Sequence, residues 1–260
     1  PVELLWQPEE EESYAERPTR GGSFPMAPWP NRIGEGRFEF AGRPYEVPLD
    51  GKPHANHGRV MQRPWQVVAR TARVVELTCA FDEGWPWGGK AWQRIELGDR
   101  GLRMKLEVRS DRDLFPAGCG WHPWFRREVP GGGAVQVQVP AGREYVVAEG
   151  LPTGELAEPA GESDLRQLGE LGGRRIDGCY TGLEGPLLAD WGAVALTMTV
   201  EAPEPHVQVF TPEYAFCLEP QTCAPDAFNL AARGAGSGGM GIARPGRPVW
   251  IESRWTWELR

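Results

Sequence analysis

The sequence predicts an all-β protein, a large antiparallel β-sandwich with little helix, and three observations carry that prediction. Apolar and polar residues alternate in run after run, the period of a strand with one buried face. The runs are broken by turn residues, with 34 Gly and 25 Pro among 260 residues, too many for long helices. Only residues 162–171, ESDLRQLGEL, offer a helix candidate, and its period is weak. No short internal repeat and no break in composition divides the chain, so residues 1–260 are read as a single domain.

The totals exclude several classes of function. Hydrophobic content of 40% and charged content of 25% suit a globular protein with a full core. The net charge of −8 and the absence of a basic block argue against nucleic acid or an anionic membrane surface as partner. No apolar run is long enough to span a bilayer, and no signal segment opens the chain. The five cysteines, Cys79, Cys119, Cys179, Cys217 and Cys223, are scattered without CxxC spacing. That pattern points to a reducing cytoplasm and supports neither a disulfide framework nor a zinc site. Twelve Trp, several beside Pro, would make flat walls for sugar rings or simply fill a β core.

Taken in order, the chain opens on PVELLW, which reads as the middle of an element, so the first N-terminal strands are expected to be missing. Glu9–Glu12 reads as a solvated turn. A rigid PWPN segment then precedes Arg32, a cation placed to reach into a pocket or to lie on a surface loop. GRFEF, the turn AGRP and YEVP form a hairpin signature. His54 and His57 follow in a turn-rich loop; without a helix to align them metal ligation is weak, and a hydrogen bond to a polar ligand is the better use. Residues 66–110 read as successive strands. Ile95 and Leu97, then Leu102, Met104, Leu106 and Val108, alternate on either side of the turn GDRG.

His122 is locked between Trp121 and Pro123, with Trp124 beyond. Aromatic walls desolvate an imidazole, lower its pKa and make it a tunable acid; a satisfied core histidine is the alternative. Further strands are read in AVQVQVP, REYVVAE, AVALTMTV, HVQVFTP and the closing RPVWIESRWTWEL, and no role is assigned to His206. IDGCYTG places Asp177 in a turn. The Gly-rich stretch ARGAGSGGMG lacks the pattern of a phosphate loop. In FCLEPQTCAPDAFN, Glu219 ends an apolar run and is directed by Pro220: a general base, or a strand closing on a solvated acidic turn.

Together these segments resemble the aldose 1-epimerase (galactose mutarotase) family across almost the whole chain. PWPNRIGEGRFEFAGRPYEV is similar to its Asn-Arg-Ile segment and hairpin, HANHGRVMQRPW to its His-Gly loop, and GCGWHPWF to its His-Pro-aromatic strand end. IDGCYTG resembles the segment of its substrate aspartate, LEPQTCAPDAFN its Glu-Pro signature, and GIARPG the segment before its last strand. The resemblance implies a many-stranded β-sandwich of the galactose mutarotase type and an isomerase that interconverts hexose anomers. It implies Glu219 as catalytic base and His122 as catalytic acid. It implies His57, Arg32 and Asp177 as sugar-binding residues. Asp226 and Asn229, beyond the one residue read as catalytic in their stretch, are assigned to holding the loop in shape.

Mutarotation needs neither cofactor nor metal. A base takes the anomeric proton, an acid protonates the ring oxygen, and the ring opens and recloses on the other carbonyl face. That chemistry is expected to set a carboxylate and an imidazole on opposite edges of the ring. The expected partner is a small-molecule sugar, and the expected assembly a monomer or homodimer. Two other readings stay open. One is a mutarotase for a charged sugar, a hexose 6-phosphate or sulfonated sugar, if Arg59, Arg63 or Arg126 converge on the pocket rim. The other is a non-catalytic carbohydrate-binding protein of the same fold. A glycoside hydrolase would need two spaced carboxylates at one site, and only Glu219 is well placed.

Overall fold

The computed structural model describes residues 2–8 and 19–260; the acidic run Glu9–Glu12 lies outside them. Two large sheets dominate. One has seven strands in the order Ser23–Met26, Gly120–Phe125, Phe216–Gln221, His206–Phe210, Asp177–Leu183, Ala141–Ala148 and Leu151–Ala157. The other has nine, running from the short strand Gly169–Glu170 through the closing strand Val249–Leu259 to Gln66–Arg70 at its far edge. Every strand pair within both sheets is antiparallel.

Alternation decides which residues lie between the sheets. Phe125, Phe216, Leu218, Val207 and Val209 from the seven-stranded sheet pack with Leu106, Leu196, Met198, Ile251 and Trp255 from the nine-stranded one. The Phe125 ring lies 5.4 Å from that of Trp255 and fixes the layers face to face. The remaining residues of the same strands, His122, Trp124, Gln208 and Glu219, therefore point to the opposite face of the seven-stranded sheet. Segments 27–33 and 55–60 fold over that face.

Those segments are clipped together. Arg32–Ile33 pairs with Ala55–Asn56, and the His57 amide donates to the Asn31 carbonyl at 2.8 Å. The Arg59 amide donates to the Ala27 carbonyl at 2.7 Å. Gly58 makes this approach possible: at φ 76° a Cβ there would sit 2.1 Å from the Ala27 oxygen.

The hairpin Arg37–Phe40/Arg43–Glu46 and the meander Lys90–Leu97/Gly101–Arg109 form as the alternation predicts. Four local expectations are corrected. Residues 162–171 hold part of a single 3-10 turn and the short strand Gly169–Glu170, because apolar Leu165 and Leu171 are drawn into the core. Among the described residues the α-helix is Ala227–Ala232 instead, beginning inside the Glu-Pro segment that was read as closing on a turn. Asp177 opens the strand Asp177–Leu183 rather than a turn, pairing with Phe210 across the sheet. Glu219 lies within the strand Phe216–Gln221 and is buried, not in a solvated turn. Cysteines Cys79, Cys119, Cys179, Cys217 and Cys223 are all free and buried. Among the described residues no helix is long and apolar enough to cross a membrane.

Candidate active site

Strand register builds the site. Gly120 pairs with Gln221 and Trp124 with Cys217, which sets His122 level with Glu219 on neighbouring strands. Phe24 pairs with His122 on one side, and Gln208 with Glu219 on the other. One row across the sheet is thus Phe24, His122, Glu219, Gln208. The next row is Trp124, Cys217, Phe210, Asp177, since Phe210 pairs with both Cys217 and Asp177. Period-two alternation puts both rows on one face.

All five residues singled out in the sequence line one pocket of about 570 Å³: Arg32, His57, His122, Asp177 and Glu219. That size suits a small polar ligand such as a monosaccharide. His122 Nε2 lies 3.3 Å from Glu219 Oε1, both side chains being almost fully buried. The expectation of acid and base on opposite edges of a ring is thereby corrected: they touch. The chemistry permits this, because the two oxygens they would serve are both bonded to C1.

The surroundings hold His122 rigidly. Its imidazole is stacked between Phe24 and Trp124, each 4.8 Å away, and the edge of His57 meets it at 5.2 Å. Burial lowers the His122 pKa to about 3, with Lys52 adding to the effect. Burial also pushes His57 well below its ordinary value, assisted by the nearby His122, Lys52 and Arg32. Glu219 moves the other way: burial, then the Asp177 charge, raise its carboxyl well above the usual range, against a lowering by Arg32. Both members of the pair are thus driven toward their neutral forms.

Asp177 is tied on both oxygens. Arg32 Nη2 donates to Oδ2 at 2.9 Å, and Gln208 Nε2 to Oδ1 at 2.7 Å. Arg32 also donates to the Gly150 carbonyl at 3.0 Å. Asp226 and Asn229 shape the loop as expected. The Asp226 amide donates to the Arg32 carbonyl, and its Oδ1 accepts from the Gly34 amide at 2.8 Å and from Asn229 Nδ2 at 2.7 Å. Glu219 Oε2, Gln208 Oε1 and Asn56 Oδ1 are buried without a hydrogen-bond partner among the described residues, all on pocket-lining side chains. Such atoms are costly unless a polar ligand or water meets them.

The arginines suspected at the rim lie elsewhere. Arg59 forms a bidentate pair with Asp82 and reaches Asp50; Arg63 joins the same Asp82; Arg126 pairs with Glu3. None lines the pocket, whose further cations are Arg20 and Lys52. Among the described residues neither of these two forms an ion pair. Of the 12 Trp, Trp124 lines the pocket, whereas Trp29, Trp85 and Trp191 fill the core. Gln208, Phe24 and Asn56 were missed. A polar residue centred in the apolar run HVQVF was the available signal for Gln208. His206 is buried against Tyr145, whose hydroxyl lies 3.2 Å from its Nε2. His54 accepts from the Glu35 amide and, among the described residues, belongs to no ligating cluster. Among the described residues the trio able to share an ion is His122, Cys217 and Glu219, with ligand atoms within 4.8 Å of one another.

The fold and pocket define a class of antiparallel β-sandwich proteins with a ligand-sized pocket on the outer face of one sheet, and comparison with known sequences shows the family. A sequence model described as Aldose 1-epimerase matches residues 1–249, so the chain belongs to the aldose 1-epimerase family. It is similar to the uncharacterized protein YihR of Escherichia coli K12, 26% identical over 219 residues, covering 78% of this chain and 70% of that protein. Its fold matches a galactose mutarotase-like protein of Clostridium acetobutylicum with a TM-score of 0.83 at 18% identity, covering 99% and 86% of the two chains. The galactose 1-epimerase of Lactobacillus acidophilus matches with a TM-score of 0.78 at 19% identity, covering 98% and 85%.

Proposed function

We propose that the protein interconverts the α and β anomers of a hexose by acid/base ring opening and closure, with Glu219 as base and His122 as acid. The observation that carries this reading is the 3.3 Å contact between His122 Nε2 and Glu219 Oε1 in the floor of a ring-sized pocket. Because burial disfavours both charged forms, the pair holds one proton and no net charge in either arrangement.

In the reactive arrangement a carboxylate faces the anomeric hydroxyl and an imidazolium the ring oxygen. Glu219 takes the O1 proton, His122 protonates O5, and the C1–O5 bond opens to the aldehyde. The pair ends as carboxylic acid and neutral imidazole, the forms that burial favours. Rotation about C1–C2 presents the other carbonyl face, and the reverse transfers close the ring. Arg32, Asp177, His57, Gln208 and Asn56 bind hydroxyls, while Phe24, Trp124 and Phe210 contact the apolar faces of the sugar. A non-catalytic sugar-binding protein would need no such matched acid and base.

The test is anomer exchange followed by polarimetry or NMR. Glu219→Gln and His122→Ala should each slow it by about 10²–10⁴-fold with the fold intact. Wild-type rates in either variant would sink the proposal. A second reading, a hexose with an anionic substituent, is favoured by Arg20 and Lys52 in the pocket lining. A panel of neutral, phosphorylated and sulfonated hexoses separates the two; a Lys52→Met variant that loses only the charged sugars supports the second.

A further inference from the structure

Behind the acid/base pair lies a third ligating side chain that ring opening does not use. Cys217 precedes Glu219 by two residues on the same strand and shares its face. It is fully buried, packed with Trp124 and Phe24 beside the His122 stack. Its sulfur, a His122 ring nitrogen and a Glu219 carboxylate oxygen lie within 4.8 Å of one another. We propose that His122, Cys217 and Glu219 form a binding site for Zn²⁺ or a similar thiophilic divalent cation, and that occupation of this site switches off anomerisation. The inference rests on the acid/base roles given to Glu219 and His122.

The donor set fits the ion. Zn²⁺ takes imidazole nitrogen, thiolate sulfur and carboxylate oxygen, and three protein ligands leave a fourth position for water or a substrate oxygen. With metal–ligand bonds of about 2.0–2.3 Å, a tetrahedron separates its donors by about 3.3–3.6 Å. The His122–Glu219 contact already has that spacing at 3.3 Å. The Cys217 sulfur, within 4.8 Å of both, would have to close by up to about 1 Å to reach that spacing.

Charge argues the same way. Two anionic ligands, a thiolate and a carboxylate, neutralise a divalent ion, so a buried complex carries no net charge. Binding releases two protons to solvent, one from the Cys217 thiol and one from the Glu219–His122 pair. Affinity therefore rises with pH. Inhibition follows directly, since the lone pairs that move the substrate's protons would be bound to metal. Hard cations such as Mg²⁺ prefer all-oxygen ligands and should have no effect.

Cys217→Ala tests this, because the thiol takes no part in ring opening. Anomerisation would be titrated with chelator-buffered Zn²⁺ in the wild type and the variant, with thermal unfolding as the check on folding. The expected result is inhibition of the wild type, basal activity retained in Cys217→Ala, and weaker inhibition of the variant by at least about tenfold, since losing even an outer-shell partner of a ligand costs about that. Co²⁺ offers a readout independent of activity: a thiolate-to-cobalt absorption band in the wild type that Cys217→Ala lacks. Equal inhibition of both proteins, or no cobalt–thiolate band, would overturn the proposal. If the band forms while no sugar anomerises, the metal site stands and the proposed activity falls.

Discussion

Glu219 and Glu252 are both nearly inaccessible carboxylates on strands, yet their surroundings differ completely. Glu252, on the nine-stranded sheet, receives two hydrogen bonds from Arg103 at 2.8 Å and one from Arg254 at 2.7 Å. The Arg103 bond holds its carboxyl below the usual range. Glu219, on the seven-stranded sheet, meets a neutral imidazole, keeps one oxygen unpartnered, and is pushed up by burial. A buried acid whose oxygens are all satisfied is structural. One left incompletely satisfied in a pocket is available for chemistry.

Exchanging each for its amide gives the sharpest contrast. Glu219→Gln should lower the rate of anomer exchange by about 10²–10⁴-fold. Glu252→Gln should leave that rate within about twofold, as the effect of a residue far from the proton transfer. If both variants kept full activity, the distinction would have no catalytic meaning.

Between these extremes stands Gln208, which ties Asp177 in place at 2.7 Å and lines the pocket beside Glu219. Gln208→Ala should raise KM by about tenfold, the loss of one or two hydrogen bonds at about 1 kcal/mol each, with a smaller change in kcat. Steady-state kinetics separates the two parameters. An unchanged KM would remove Gln208 and its hold on Asp177 from the binding surface.

Stability against pH should tell the two carboxylates apart by sign. The unfolded chain releases the Glu219 proton near 4.5, while the folded protein keeps it to a higher pH. Its contribution is present below 4.5 and is lost as pH rises toward the folded value, by up to ~1.4 kcal/mol per pH unit. Glu252 behaves oppositely: its contribution is present above 4.5 and is lost as pH falls through the depressed folded value. Urea unfolding from pH 4 to 8 should therefore show Glu219→Gln gaining on the wild type as pH rises. Glu252→Gln should stay less stable by a constant ~1–2 kcal/mol above pH 5. Parallel curves for Glu219→Gln and the wild type would mean that its carboxyl ionises normally.

The smallest effect is expected at Arg59, whose guanidinium is engaged by Asp82 and Asp50 outside the pocket. Arg59→Gln should leave kcat/KM within about twofold for neutral and phosphorylated hexoses alike. A selective loss with the charged sugar would return this arginine to the substrate path.

Much of this was legible in the chain. Alternation located several strands of both sheets, among them Lys90–Leu97, Gly101–Arg109, His206–Phe210 and Val249–Leu259, but not Ser23–Met26, Leu151–Ala157 or Asp177–Leu183. Residues His122 and Glu219 stood out because rigid, aromatic or proline-flanked contexts are short-range features. Asp226 and Asn229 were read correctly as loop-shaping for the same reason. Gln208 and Phe24 were missed because they become site residues only through pairing with Glu219 and His122 across the sheet. Residues 162–171 misled because a weak helical period yields when Leu165 and Leu171 can be buried individually.

The amino-acid sequence by itself determined which residues alternate, where the backbone must turn, and hence which face of each strand carries polar groups. Only the tertiary structure decided which of those polar groups meet. Register brought His122 level with Glu219, the clip at Gly58 set His57 against them, and pairing with Asp82 removed Arg59 from the pocket. These contacts join residues far apart in the chain, so their energies depend on register and burial, which local sequence does not encode.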